Sequence, residues 1–243
     1  MNSADPDLFE LGVLARLSRV NAGYDAGDTV LEGADFEIRS GEVAFVTGPT
    51  SAGKTTFMHV LRLALPPRSG TATILGADVG GLNGRGRARL KRRIGYVAEN
   101  PVFVEEWSGT ANIALALRMA GRKSKDYAED VRELIEFVGL GIAADEPVRQ
   151  LSGAARRRVA IARALVTKPD MILADDPTAG LSPEAGRRVI RLLAEMRRVG
   201  AGVVITSQDE SLADCAPGGR WRLERGRLSP LDHVAPENAE AFR

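Results

Sequence analysis

The sequence predicts an α/β fold: a buried parallel sheet ending in a glycine-rich loop, faced by an antiparallel β layer and interrupted by a helical insertion. Three observations lead there. The runs 43–47 (VAFVT), 171–174 (MILA) and 202–206 (GVVIT) are short and continuously apolar, as strands covered on both faces are. The first run breaks at Gly48 into a glycine-rich turn that leads to a helical segment, giving the order strand, loop, helix. Segments 13–20 (VLARLSRV) and, less cleanly, 30–38 (VLEGADFEI) alternate apolar and polar residues, the pattern of strands with one wet face.

The remaining elements follow in chain order. A helix is expected over 55–65, stopping before Pro66 and Pro67, because the residue before a proline is pushed out of the α region. Residues 69–79 read as a return to strand, 80–86 (GGLNGRG) as a turn region and 94–97 (IGYV) as a short strand. From 110 to 138 apolar residues recur at helical spacing in two runs separated by polar residues 121–125, which predicts a helical insertion. Ser152 is placed to cap a helix through 165, Pro183 opens another through 199, and 220–228 resembles a hairpin. Residues after Ser229 are expected to form a loosely ordered tail.

Composition narrows the function classes. Over 243 residues, 44% are hydrophobic and 27% charged, ordinary values for a soluble globular chain. A formal net charge of +1 supplies no strong field for polyanions, so no nucleic-acid partner is expected. Cys215 is the single cysteine, which excludes an intramolecular disulfide and points to a reducing compartment, by default the cytoplasm. The opening residues mix Asp5, Asp7 and Glu10 with Pro6, unlike a secretory leader. The most apolar stretch, 57–65, is far short of a bilayer span and contains Arg62. Direct membrane insertion is therefore not expected, and membrane association would come through a partner.

The chemistry concentrates in Gly48-Pro49-Thr50-Ser51-Ala52-Gly53-Lys54-Thr55, followed by Thr56. Two glycines four residues apart before Lys and a hydroxyl residue form a phosphate-loop pattern. The glycines let backbone N–H groups converge on phosphate oxygens, Lys54 would bridge the β and γ phosphates, and the Thr55 hydroxyl would ligate magnesium. ATP and Mg2+ are the expected ligands. A chance glycine-rich turn is the competing reading, and the flanking buried strand and helix weigh against it. A second magnesium ligand is expected in Asp175, at the end of the apolar run 172–174; alternatively Asp175 and Asp176 merely terminate a strand.

Leu151-Ser152-Gly153 followed by 158–164 (RVAIARA) resembles the signature and signature helix of ATP-binding-cassette (ABC) proteins. Its spacing to Asp175-Asp176-Pro177-Thr178 is similar too, so the resemblance spans about 13 to 228. It implies an ABC nucleotide-binding domain, with a RecA-like P-loop core and antiparallel β layer over 1–97 and 159–229, an inserted helical subdomain over 98–158, and a tail over 230–243. It also implies a head-to-tail homodimer on ATP binding, in which Ser152 and Gly153 of one copy face the γ phosphate held by the other. A membrane-embedded partner would hold the protein peripherally on the inner face of the plasma membrane. Tyr24 lies where the family places an aromatic that stacks on adenine; beside Gly23 it equally reads as a turn residue.

Several positions depart from the family pattern, all in hydrolytic or dimer-contact motifs. The catalytic Glu is Asp176, one methylene shorter; the switch His is Gln208; the magnesium-sensing Gln is Glu99, as a carboxylate either a magnesium ligand or a group repelling the γ phosphate. The second signature glycine is Ala154, the next residue Ala155, and a dimer-facing Asp is Ser182. Two readings stay open: neutral drift in a working ATPase, or an ATP-binding switch that turns over very slowly. The arginine run 156–158 is read as a solvated helix face rather than a nucleotide contact. Within the family, 82–140 most resembles the FtsE branch, cell-division ATPases that work with the membrane protein FtsX, while lipoprotein-releasing and macrolide-export branches have overlapping motifs. The surface 99–107 is expected to receive a cytoplasmic helix of the partner through exposed Phe103 and Trp107, or else those rings pack within the subdomain.

Overall fold

The computed structural model describes residues 12–24 and 28–232. Two sheets form the body. The four-stranded antiparallel sheet is built from β1 (Val13–Ala22), β2 (Leu31–Arg39), β4 (Ser69–Ile74) and β5 (Ala77–Asp78), in the order β2-β1-β4-β5. The six-stranded sheet holds β3 (Val43–Thr47), β6 (Ile94–Val97), β7 (Met171–Asp175), β8 (Gly202–Ser207), β9 (Gly219–Glu224) and β10 (Arg227–Asp232), in the order β10-β9-β3-β8-β7-β6. Its pairings are parallel except β9 with β10. The result is the mixed α/β architecture expected.

The reason for the apolar runs is visible in how the central strands divide their side chains. Val43 and Phe45 of β3, Ile172 and Ala174 of β7, and Val203 and Ile205 of β8 face one hydrophobic core. Ala44 and Val46, Leu173, and Val204 face the other. With period-2 alternation and apolar packing on both sides, every position must be apolar. The first core continues into the helical insertion, α3 (Gly109–Met119) and α4 (Ala128–Phe137), and into α5 (Gly153–Leu165) and α6 (Pro183–Glu195). The second joins the antiparallel sheet to α1 (Lys54–Leu61).

Differences from the sequence expectation have local causes. Helix α1 ends at Leu61, short of Leu65: Leu63 adopts a left-handed φ of 62°, and the N–H groups of Ala64 and Leu65 both fold back to the His59 carbonyl. The expected strand 69–79 turns at Leu75 and Gly76, both at positive φ, so that Ala77 pairs back on Ile74. The glycine-rich region instead contributes a helix, α2 (Gly84–Lys91), capped by the Asn83 side chain accepting from the Gly86 N–H. Leu90 is its single buried residue, too little for an apolar stripe. The α6 segment tightens into a 3-10 turn at Met196–Val199 before Gly200. Strand β10 runs past Ser229 to Asp232, and residues 233–243 lie outside the described residues.

The segment between β6 and α3 is held from within. Asn112, fully buried, accepts from the Val104 N–H and donates to the carbonyls of Val104, Trp107 and Ser108. Of the two alternatives for Phe103 the structure shows packing, not exposure: it is 8% exposed, with the guanidinium groups of Arg156 and Arg163 5.1 and 4.9 Å from its ring centre. Val102, at 82% exposure, and Trp107, at 37%, face solvent instead. Among the described residues no helix is long and apolar enough to cross a membrane.

Candidate functional site

Strand β3 delivers the chain to loop 48–53 at the end of the parallel sheet. The Gly48 N–H donates to Ser207 O at 3.2 Å, and a Cβ at Gly48 would lie 2.0 Å from the Leu223 carbonyl oxygen. No larger residue fits. Ser51 (φ 63°) and Gly53 (φ 106°) are left-handed on either side of Ala52, and the Gly226 N–H donates to the Ala52 carbonyl. Left-handed residues punctuating a tight loop turn its N–H groups toward a common point, an anion-binding arrangement. Helix α1 starts at Lys54 with no side-chain cap and no acidic residue in its first turn, which leaves its N-terminal N–H groups and positive dipole end for a ligand. Thr55 is exposed there, while Thr56 is buried.

Lys54 is buried, at 8% exposure, and its ammonium donates to the carbonyls of Gly48 (2.7 Å) and Pro49 (2.8 Å). Burial pushes its pKa down, opposed by the nearby charges of Asp176, Asp175 and Glu99. Asp175 at the end of β7 is 3% exposed; it accepts from the Thr206 hydroxyl at 2.7 Å and the Tyr96 hydroxyl at 3.3 Å. Burial, then the Asp175 charge, push the Tyr96 phenol up to about 12, so it remains a donor.

Asp176 takes a left-handed φ of 39° and anchors its N–H on the Thr206 carbonyl and hydroxyl. Desolvation raises its carboxyl pKa, Lys54 pulls it back down, Asp175 raises it again, and Arg157 and a hydrogen bond with Gln208 lower it. Gln208 Oε1 accepts from the Thr50 hydroxyl at 2.9 Å. The structure therefore brings the loop, Asp175, Asp176 and Glu99 around one ammonium, with Gln208 tied to the loop through Thr50. Tyr24, 55% exposed, joins this assembly through His59 and Thr56 of α1. Ser152 and Gly153 stand exposed at the start of α5, where the Ser152 hydroxyl caps the Ala155 N–H of its own helix.

The oxygen donors suit Mg2+, which takes one or two carboxylates and completes its shell with phosphate and water. Thr55 and Asp175 offer a hydroxyl and a carboxylate, with Glu99 acting on the same ammonium. Among the described residues no group of three or more His, Cys, Asp or Glu could hold a metal ion.

Sequence reasoning missed Arg157, and the solvated-face reading of 156–158 is overturned at that residue, whereas Arg156 and Arg158 stay partly exposed. Arg157 is 7% exposed and donates to the carbonyls of Ala98 (2.9 Å), Glu99 (3.0 Å) and Ala179 (3.2 Å). Its neighbours are engaged too: Arg156 makes a two-pronged pair with Glu105, and Arg158 donates to the Gly139 carbonyl. The signal was periodicity, since 157, 160, 161, 164 and 165 lie on the buried face of α5.

With this geometry in place, likenesses to known proteins can be stated. A family model described as "ABC transporter" matches residues 31–179. The chain is 36% identical over 216 residues to the lipoprotein-releasing system ATP-binding protein LolD 1 of Caulobacter vibrioides, covering 88% of this chain and 92% of that one. It is 35% identical over 198 residues to the cell division ATP-binding protein FtsE of Mycobacterium tuberculosis, covering 82% and 86%. Among solved structures, the dimeric structure of a bacterial ABC transporter cassette superposes with a TM-score of 0.81 at 25% identity, covering 90% of this chain and 99% of that one.

Arg157→Ala should strand three backbone carbonyls and lower stability by about 1–3 kcal/mol. Arg187→Ala, at an exposed position of α6, should change it by less than about 0.5 kcal/mol. Urea unfolding measures both, and equal midpoints for the two variants would remove the clamp.

Proposed function

The chain belongs to the ABC transporter family, and from that premise we propose that it is the ATP-binding subunit of a membrane complex, peripheral on the inner face of the plasma membrane. The observation that carries the reading is Lys54: a buried ammonium between two loop carbonyls at the start of an uncapped helix, with Asp175 and Asp176 beside it. Such a cation is poised to exchange carbonyl partners for phosphate oxygens. Residues 48–56 would hold the triphosphate, with Tyr24 at the base. Mg2+, held by Thr55 and Asp175 with Glu99 facing the same space, supplies charge neutralisation on the phosphates when bound. Asp176 would orient and deprotonate water, and Gln208, held to the loop through Thr50, would stand by the phosphates in place of the family's histidine. A second copy would close over the nucleotide on ATP binding, presenting Ser152 and Gly153.

For the partner, the resemblance of 82–140 to the FtsE branch favours a membrane protein of FtsX type. Identities of 36% to LolD 1 and 35% to FtsE support a lipoprotein-releasing partner equally. Either would use the 99–107 surface, whose solvent-facing apolar groups are Val102, Val104 and Trp107. Exposed apolar groups of this kind mark contact surfaces when clustered.

Three measurements test the proposal. Lys54→Ala should abolish ATP-Mg binding by calorimetry, and an unchanged affinity would reject loop 48–56 as the phosphate site. Val102→Ser with Trp107→Ser should leave the fold intact and break co-purification with the membrane partner; retained co-purification removes that surface. Turnover of the isolated protein should be slow, because positioned base catalysis contributes about 10²- to 10⁴-fold and Asp176 supplies it from one methylene further away. Asp176→Glu combined with Gln208→His should raise turnover at least about tenfold with little change in ATP affinity. Wild-type turnover already equal to that of the double variant would make the protein an ordinary coupled ATPase.

A further inference from the structure

We infer that His59 is a positioning residue that holds the Tyr24 ring as a platform for the nucleotide base. This rests on the proposed ATP site and assigns a role to a side chain that neither phosphate binding nor hydrolysis uses. Tyr24 leaves more than half of its surface open, yet its hydroxyl is not free: it lies 2.9 Å from His59 Nδ1 and 3.5 Å from the Thr56 hydroxyl. The two rings meet edge to face, 6.1 Å apart at 84°. His59 and Thr56 both belong to α1, three residues apart, and therefore lie on one face of the helix that carries the phosphate loop.

Burial pushes the His59 pKa down, and the Arg62 charge pushes it the same way, against a weaker pull from Asp175. The imidazole is then neutral at neutral pH, and the tautomer with its proton on Nε2 leaves the Nδ1 lone pair to accept the Tyr24 O–H. An exposed tyrosine otherwise samples several rotamers, and ordering it on ligand binding costs free energy. A hydroxyl already tethered removes part of that cost before the ligand arrives. With the tether in place Tyr24 remains 55% exposed, and an aromatic face beside a phosphate loop stacks a base without regard to its hydrogen-bonding edge. Because the tether springs from the helix that follows Lys54 and Thr55, the distance between platform and phosphate loop is set within one rigid element.

The consequence is a split between base affinity and phosphate affinity. Calorimetry on the full chain should compare ATP-Mg with magnesium tripolyphosphate, which has the phosphates and no base. Tyr24→Phe and His59→Leu should each weaken ATP about two- to tenfold, the range of one net hydrogen bond. The double variant should be no worse than either single one, since both delete the same bond. His59→Gln, which keeps an acceptor, should recover most of the loss. Tripolyphosphate affinity should stay within about twofold throughout. ATP affinity unchanged in both single variants, additive losses, or tripolyphosphate weakening in step with ATP would each overturn the role. If His59→Leu compromises the fold, Tyr24→Phe reports on the same bond alone. Wild-type protein that binds neither ligand would overturn the ATP site and the platform together, whereas tripolyphosphate binding with equal ATP affinity in all variants overturns only the platform.

Discussion

A lysine ammonium taken out of water needs compensation, and most of the site geometry follows from how Lys54 obtains it. Removing a charge from solvent costs several kcal/mol unless partners replace the lost hydration. The carbonyls of Gly48 and Pro49 supply two hydrogen bonds, which bends the loop back over its own helix. The carboxylates of Asp175, Asp176 and Glu99 supply the opposing charge from β7 and from the segment after β6. Those carboxylates in turn need donors, which Thr206 and Tyr96 provide for Asp175. One cation thus links four strands of the sheet, β3, β6, β7 and β8, at the same end. The parallel arrangement makes this possible, because parallel neighbours deliver their C-terminal ends to a common edge, where ligands of open α/β sheets bind.

Much of this was legible in the sequence, for reasons that identify what was not. The central strands announced themselves because two cores demand apolar side chains on both faces. The helix beginning at Gly153 was legible because Ser152 caps it. Loop 48–55 and Asp175 were legible from spacing, since each follows an apolar strand, whereas Asp176 and Gln208 were singled out only through the family resemblance. The helix at Gly84–Lys91 was hidden because a single leucine is buried in it, and the sequence left Phe103 open between exposure and packing because nothing in it shows the two guanidinium groups that close over the ring. Tyr96 and Thr206 were missed as Asp175 ligands for another reason: their partner lies 79 and 31 residues away along the chain. Nothing local marks a strand hydroxyl as a carboxylate donor until the strands are side by side.

Arg157 shows how a charge run can be misread. Three consecutive arginines on a helix cannot share one environment, because successive residues point about 100° apart. One of them must fall on the stripe already occupied by Ala160, Ile161 and Ala164. A guanidinium is tolerated there because its fork of donors matches three backbone carbonyls, of Ala98, Glu99 and Ala179. Those carbonyls belong to the segment after β6 and to the loop after β7. The clamp therefore fixes the backbone of Glu99 relative to the loop that follows Asp176, and both carboxylates act on its charge in return. Burial of an arginine without a direct carboxylate partner is otherwise costly, so its position reflects the need to hold these two segments together.

The departures from the family pattern fall unevenly across this assembly, and the unevenness bears on what the protein does. Groups that would grip a triphosphate come from one continuous stretch: backbone N–H groups of loop 48–53, Lys54, and the helix start. That stretch retains its glycines, its lysine and its hydroxyl residue. Groups that would handle water come from elsewhere, Asp176 after β7 and Gln208 after β8, and these are the substituted ones. Gln208 nevertheless keeps a tie to the phosphate loop, its Oε1 accepting from the Thr50 hydroxyl. A neutral imidazole nitrogen can accept such a bond as well. The difference is charge: an imidazole can become a cation beside a phosphate near neutral pH, and an amide cannot. The groups proposed to bind nucleotide and those proposed to activate water therefore sit on separate segments, so the proposed site allows the two to change independently.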